Sequence, residues 1–226
     1  MNFDALHARI GYTFSDTALL QRALTHASFG DGKHREKSYE RLEFLGDRVL
    51  GLLTAERLFS DFKSAREGAL APRLNALVSK KACARVARRF EIGEFIRLGK
   101  SEDQRGGRNN DSILGDVMEA LLAAVYLDGG LDTARAFYQR GWDADIEAIA
   151  SRPANPKSEL QEWAAKRGLE PRYDLTEQGG PDHRPVFTVD VFIDGFAPAQ
   201  GAGGNKQAAE RAAAKVFIER EHLHVR

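Results

Sequence analysis

The sequence predicts a mainly α chain: an all-helical N-terminal domain followed by a small α+β domain of order α-β-β-β-α. Three observations carry that prediction. Apolar residues recur at helical spacing through most of the first 150 residues. The stretch "SRPANP" (151–156) then brings two prolines among small polar residues, the composition of a linker. Beyond it the period changes to the alternation of strands, and an alanine-rich run closes the chain. The chain thus divides into a helical domain over 1–150, a linker over 151–156 and an α+β domain over 157–226.

Each element has its own signal. "DTALLQRALTHASF" (16–29) offers Asp16 as an N-cap and places Leu19, Leu20 and Leu24 on one face. "ERLEFLGDRVL" (40–50) continues through "GLLTAERLF", with Leu42, Leu45, Val49, Leu52 and Leu53 as its core stripe. Helical sequence follows over 67–90. "DSILGDVMEALLAAVYLDGG" (111–130) has Asp111 or Ser112 as a cap and a stop at Gly129-Gly130; "LDTARAFYQRGWDADIEAIA" supplies another helix. After the linker, "KSELQEWAAKRGL" reads as a helix with Ser158 and Gln161 as a capping box. "PRYDLTEQ" and "PVFTVDVFIDG" alternate as strands around the turn-rich "GGPDHR". A third short strand near "FAPAQG" precedes the helix "NKQAAERAAAKVFIERE".

Composition excludes several classes. Hydrophobic content of 42% beside 29% charged residues fits a folded domain, not a disordered chain. No apolar run nears the roughly 18 residues that span a bilayer. The N-terminus lacks the basic-then-apolar order of a secretory signal, so a cytoplasmic location is expected. One cysteine, Cys83, is too few for a disulfide framework or a cysteine-based zinc site, and reads as a small buried apolar residue. Lys+Arg and Asp+Glu balance at 33 each, which by itself argues against a nucleic-acid partner but is silent on how the charge is arranged.

The acids are where chemistry is expected. On a helix, Glu40, Glu43 and Asp47 share an arc of roughly 60° opposite the core stripe. A second helix puts Asp116 and Glu119 together beside the small Ser112, Ala120 and Ala123. Acids at such spacing are commonly a solvated face. Here, however, Glu40, Glu43 and Glu119 are followed four residues on by Phe44, Asp47 and Ala123, none of them basic, so the carboxylates repel along the helix unless a cation neutralises them. Oxygen donors without thiolate or imidazole suit Mg²⁺ or Mn²⁺.

"YERLEFLGDRVL" (39–50) resembles the signature motif of the ribonuclease III family. "LLQRALTHASF" (19–29), "EGALAPRLNALVS" (67–79) and "GGRNNDSILGDVMEALLAAVYLDGG" (106–130) are similar to other blocks of that family. The resemblance implies a Mg²⁺-dependent endoribonuclease, with Mn²⁺ as a possible substitute and no small-molecule cofactor, that hydrolyses both strands of double-stranded RNA. It implies 5′-phosphate products with short 3′ overhangs and a part in processing ribosomal RNA precursors and other structured transcripts. It maps Glu43, Asp47, Asp116 and Glu119 onto the family's metal-binding acids, with Asp47 and Glu119 catalytic and Glu40 supporting. Phe44, stranded among acids, becomes a contact to a second copy in a homodimer. Two departures are small for small: Ser101 and Gly115 stand where the family usually has Gly and Ala.

The segment 157–226 resembles a double-stranded RNA-binding domain, which reads A-form shape through 2′-hydroxyls and phosphates. The resemblance assigns RNA contacts to Ser158, Gln161, His183 and Lys206. Departures here are heavier. Asn205-Lys206-Gln207 replaces the usual "SKK", Ala165 replaces a common glutamine, and 10 Lys+Arg against 11 Asp+Glu leave the segment at −1. Duplex binding weaker and more salt-sensitive than usual is expected. The basic helix bearing Lys80, Lys81, Arg85, Arg88 and Arg89 is a candidate helper, although a solvated face is the plainer reading. Two other readings stay open at this point: a duplex-RNA binder without catalysis, and a metal-binding helical structural protein.

Overall fold

The computed structural model describes residues 3–30, 37–63, 65–150, 155–181 and 185–223. Two compact units emerge, Met1–Ala150 and Ser151–Arg226. Among the described residues no helix is long and apolar enough to cross a membrane.

The first unit is helical: α1 (Asp4–Ile10), α2 (Thr17–Ala23), α3 (Glu40–Asp61), α4 (Glu67–Leu77), α5 (Lys80–Arg89), α6 (Lys100–Gln104) and α7 (Asp111–Ala150). Asp16 caps α2 as the sequence implies, accepting from the backbone N–H groups of Ala18 and Leu19. The cap of α7 is neither Asp111 nor Ser112 but Asn110, whose Oδ1 accepts from the N–H of Ser112 at 2.8 Å. An Asn just outside the helix reaches the free amides more directly than the residues already inside it. Gly130 (φ 80, ψ 179) breaks α7 into two helical stretches, in a conformation an L side chain rarely adopts. The stretch 67–90 is likewise two helices, because Ser79 stands outside helical geometry and accepts from the N–H of Ala82 to cap α5.

The first half of α7 is the axis of the unit, with Leu114, Val117, Met118, Ala120, Leu121 and Ala123 all buried. Helix α3 lies along it and buries Leu42, Val49, Leu50 and Leu53. Leu52 departs from the expected stripe: it is 55% exposed and borders an apolar groove with Leu58, Phe59, Leu70 and Leu74, between α3 and α4. Further along, Trp142 is fully buried, stacks on Tyr138 and donates its indole N–H to the Leu77 carbonyl at 3.1 Å. Asp128 ties the α1–α2 loop to α7 by accepting from Tyr12 Oη and the amides of Ser15 and Asp16.

The helices α3 and α7 come into backbone contact at Gly46. A Cβ there would lie 1.9 Å from the Glu119 carbonyl oxygen, so only glycine permits this crossing. The crossing falls between Glu43 and Asp47 on one helix and at Glu119 on the other.

The second unit packs α8 (Pro156–Ala165) and α9 (Lys206–Arg220) on one antiparallel sheet of order β1-β2-β3, formed by Arg172–Gly179, Val186–Phe192 and Ala199–Gly203. Leu160, Trp163, Val191, Ile193, Ala213 and Phe217 fill its core. The alanines of α9 let it settle on β3, where a Cβ at Gly201 would meet Ala213 N at 2.0 Å. Ser158 does not cap α8. Asn155 does, accepting from the Lys157 amide at 3.1 Å, and Pro156 fills the first helical position.

Gly46→Ala forces backbone into backbone and is expected to destabilise the chain by about 1–3 kcal/mol or more. Gly51→Ala lies in the same helix with nothing within 4 Å of its Cβ, and should be neutral or stabilising by up to about 1 kcal/mol. Paired urea denaturation curves read the contrast directly.

Candidate functional site

Three helices converge on one acidic cleft. Glu43 comes from α3, Asp116 and Glu119 from α7, and one carboxylate oxygen of each lies within 4.8 Å of the others. Glu40, Phe44, Asp47 and Val78 line the same cleft. Asp47 stands outside the close set; its carboxylate pairs with Arg48. Ser38 donates to Glu40 at 3.2 Å. Phe44 is 70% exposed, with the Arg48 guanidinium over its ring.

The cation that balances these acids within the chain is Lys80. From the first turn of α5 its Nζ donates to Glu43 at 3.2 Å, to Glu119 at 3.3 Å and to Asp116 closer still. Burial pulls the ammonium down, but the hydrogen bond to Asp116 and the charges of Glu119 and Asp116 outweigh it, holding Lys80 above the ordinary lysine range. Its stem runs past Gly115, where a Cβ would lie 2.5 Å from Lys80 Cδ and 2.8 Å from Cγ.

Two further groups support the set from behind. Tyr39, buried where α3 begins, donates its hydroxyl to Asp116 at 3.2 Å, and its own amide donates to the Thr25 carbonyl. Cys83 is buried as expected, but it is not merely filler: its thiol lies 3.7 Å from Glu119 Oε1. Burial, then the charge of Glu119, pushes that thiol far above its ordinary range. Glu119 itself is only 4% exposed. Burial pushes its carboxyl up to about 7; the Lys80 ammonium pulls it back and the charges of Asp47 and Glu43 push it up again. Three clustered carboxylates, one buried and already holding an ammonium, are a fitting donor set for a hard divalent cation.

The contacts of Lys80, Tyr39 and Cys83 with the acids do not follow from the sequence pattern. Ser79 was the available signal for Lys80, since a serine there starts a new helix and aims its first side chains. The basic helix takes its plainer reading for Lys81, Arg85, Arg88 and Arg89, which are exposed to solvent. Lys80 is turned into the acids, Arg85 and Arg89 pair with Asp145, and Arg88 pairs with Asp111. Only Lys81 of the five stands exposed with no ion pair found among the described residues. In the second unit Gln161 is exposed on α8, Ser158 is half-buried there, and Lys206 is exposed at the start of α9. His183 lies outside the described residues. Lys157, a further basic group on α8, is held by Glu210 at 2.6 Å.

Comparison with known proteins settles the kinship. A family described as ribonuclease-III-like matches residues 16–142, and the double-stranded RNA binding motif matches 156–220. Ribonuclease 3 of Caulobacter vibrioides is 53% identical over 218 residues, covering 96% of this chain and 94% of its own. The chain belongs to the ribonuclease III family. Ribonuclease 3 of Rhodobacter capsulatus is 47% identical over 220 residues, covering 97% of this chain and 96% of its own. A solved nuclease domain of ribonuclease III from Campylobacter jejuni, described for flexibility in a region involved in dimer formation, is 37% identical with a TM-score of 0.60. It covers 65% of this chain and 99% of its own length. In this member of the ribonuclease III family, the segment 39–50 that resembles the signature motif carries Glu43, Gly46 and Asp47 on α3.

The raised Glu119 carboxyl sets a pH signature for the metal-free chain. Its folded value, about 7, lies above the ordinary 4.5, so the neutral acid favours the fold. That contribution is complete below about 4.5 and is lost as pH rises through about 7. Thermal melts in chelator should show wild type losing up to about 3 kcal/mol more between these limits than Glu119→Gln.

Proposed function

We propose that this chain is a Mg²⁺-dependent endoribonuclease that hydrolyses both strands of double-stranded RNA, with Mn²⁺ able to stand in for Mg²⁺. The observation that carries the metal reading is the convergence of Glu43, Asp116 and Glu119 in a cleft whose only cation within reach, among the described residues, is a lysine. In this reading Glu43, Asp47, Asp116 and Glu119 hold the metal, and Glu40 supports them from the cleft wall. The bound ion supplies Lewis-acid chemistry, easing ionisation of water and neutralising charge on the phosphate. The chain's own residues do the rest. Gly46 fixes the spacing of the two acid-bearing helices, and Tyr39 orients Asp116 through its hydroxyl. Glu119, buried at the helix crossing, and Asp47, on the cleft wall, are the acids assigned to catalysis in this reading. The products are ends with 5′-phosphates and short 3′ overhangs, and the substrates include ribosomal RNA precursors and other structured transcripts.

Residues 1–150 serve as the catalytic and dimerisation domain, 151–156 as the linker and 157–226 as the duplex-binding domain. Ser158, Gln161, His183 and Lys206 make RNA contacts. The N-terminus of α9, with Lys206 exposed beside it, suits phosphate through its dipole and free amides. The protein acts in the cytoplasm as a homodimer. Phe44 and the apolar groove bearing Leu52 and the 77%-exposed Phe59 belong to one face of α3, which a second copy of the chain covers. A two-fold axis there gives one acidic cleft for each strand of a duplex.

Two measurements test this. The chain should cut a long RNA duplex with Mg²⁺, and Glu119→Gln should cut at least about 10³-fold more slowly while binding the duplex unchanged; a wild type that binds without cutting under any Mg²⁺ or Mn²⁺ concentration overturns catalysis. Phe44→Asp should move the sedimentation of the chain from dimer toward monomer. A stable wild-type monomer that still cuts both strands would remove the dimer from the reading.

A further inference from the structure

Lys80 and Gly115 form a unit that the catalytic reading does not explain. The Lys80 ammonium lies within 3.3 Å of all three carboxylates in the close set. Its stem occupies space that exists only because residue 115 has no Cβ. A cation drawing on the same three oxygens, at the ~2.1 Å that Mg²⁺ requires, takes the place of the ammonium and leaves no room for it. The two positive charges exclude one another. Lys80 can leave, since its side chain is 40% exposed and begins α5 at the edge of the cleft.

We propose that Lys80 is the resident counter-ion of the metal-free centre, that metal loads by displacing it, and that Gly115 is the residue that lets it in. This rests on the reading of Glu43, Asp116 and Glu119 as the metal-holding acids and adds a competitor to it. The apparent metal affinity is the intrinsic affinity reduced by the fraction of chains whose site is open. Lys80 therefore sets the cation concentration at which the enzyme fills. It also keeps three clustered acids from splitting α3 from α7 while no metal is bound.

The test is Mn²⁺ binding to the full chain without RNA, followed by calorimetry and by the electron paramagnetic resonance of free Mn²⁺. Lys80→Gln is expected to bind about tenfold more tightly, equivalent to about 1.4 kcal/mol. Its metal-free melting temperature should fall, and its rise on adding Mn²⁺ should exceed that of wild type. Gly115→Ala keeps the charge but closes the channel for the stem, and should tighten binding in the same direction. Lys81→Gln removes a neighbouring charge and should change nothing. Equal affinity in wild type, Lys80→Gln and Gly115→Ala leaves the metal centre standing and overturns the displacement. So does a Lys81→Gln effect as large as that of Lys80→Gln. No Mn²⁺ binding by any of these chains overturns the metal centre itself and the displacement with it.

Discussion

The close crossing of α3 and α7 at Gly46 is the constraint on which the rest depends. Helices separated by ordinary side chains lie 8–10 Å apart. Here the backbone of Glu119 sits where a Cβ of residue 46 would be. The consequence is chemical as well as steric. The close approach brings Glu43 of one helix and Asp116 and Glu119 of the other into one small volume, with Glu119 buried at the crossing.

Such a cluster is electrostatically expensive. Glu119 is nearly inaccessible to water, and Glu43 and Asp116 stand within a few ångströms of it. A buried charge without a partner destabilises a fold strongly. The chain meets the problem with an ammonium from a third helix, a tyrosine hydroxyl on Asp116 and a thiol facing Glu119. None of these groups is needed to define the acid set, yet together they make it tolerable in the folded chain. Ser79 starts α5 so that Lys80, in its first turn, faces the cleft.

Much of this was legible in the sequence, and the boundary follows physical lines. The acids themselves could be found because their spacing repeats with the helix and their neighbours at i+4 are not basic. Leu42, Val49 and Leu53 were legible as core for the same reason. Leu52 was not, because periodicity identifies a face but not which edge of it another element will cover. Lys80 lies 36 residues from Asp116 and 37 from Glu43 in sequence, so no local pattern could join them. The basic character of 80–89 read most plainly as a solvated face, which holds for its cations other than Lys80. In the fold most of those charges are spent on the chain's own acids. Caps were misassigned by one to three residues for a simpler reason. Asn110 and Asn155 sit just outside their helices, where a helical pattern gives no hint of them.

The glycine at 115 has a meaning for how the chain can vary. Taken alone it weakens α7 by up to about 1 kcal/mol relative to alanine. Taken with Lys80 it is the vacancy into which a charged side chain folds. The effect of a change at either position therefore depends on the residue at the other. A lysine introduced at 80 opposite an alanine at 115 would have no inward seat, whereas a glycine acquired first would leave a modest defect awaiting its occupant. The two positions are thus one steric unit, and neither can be read without the other.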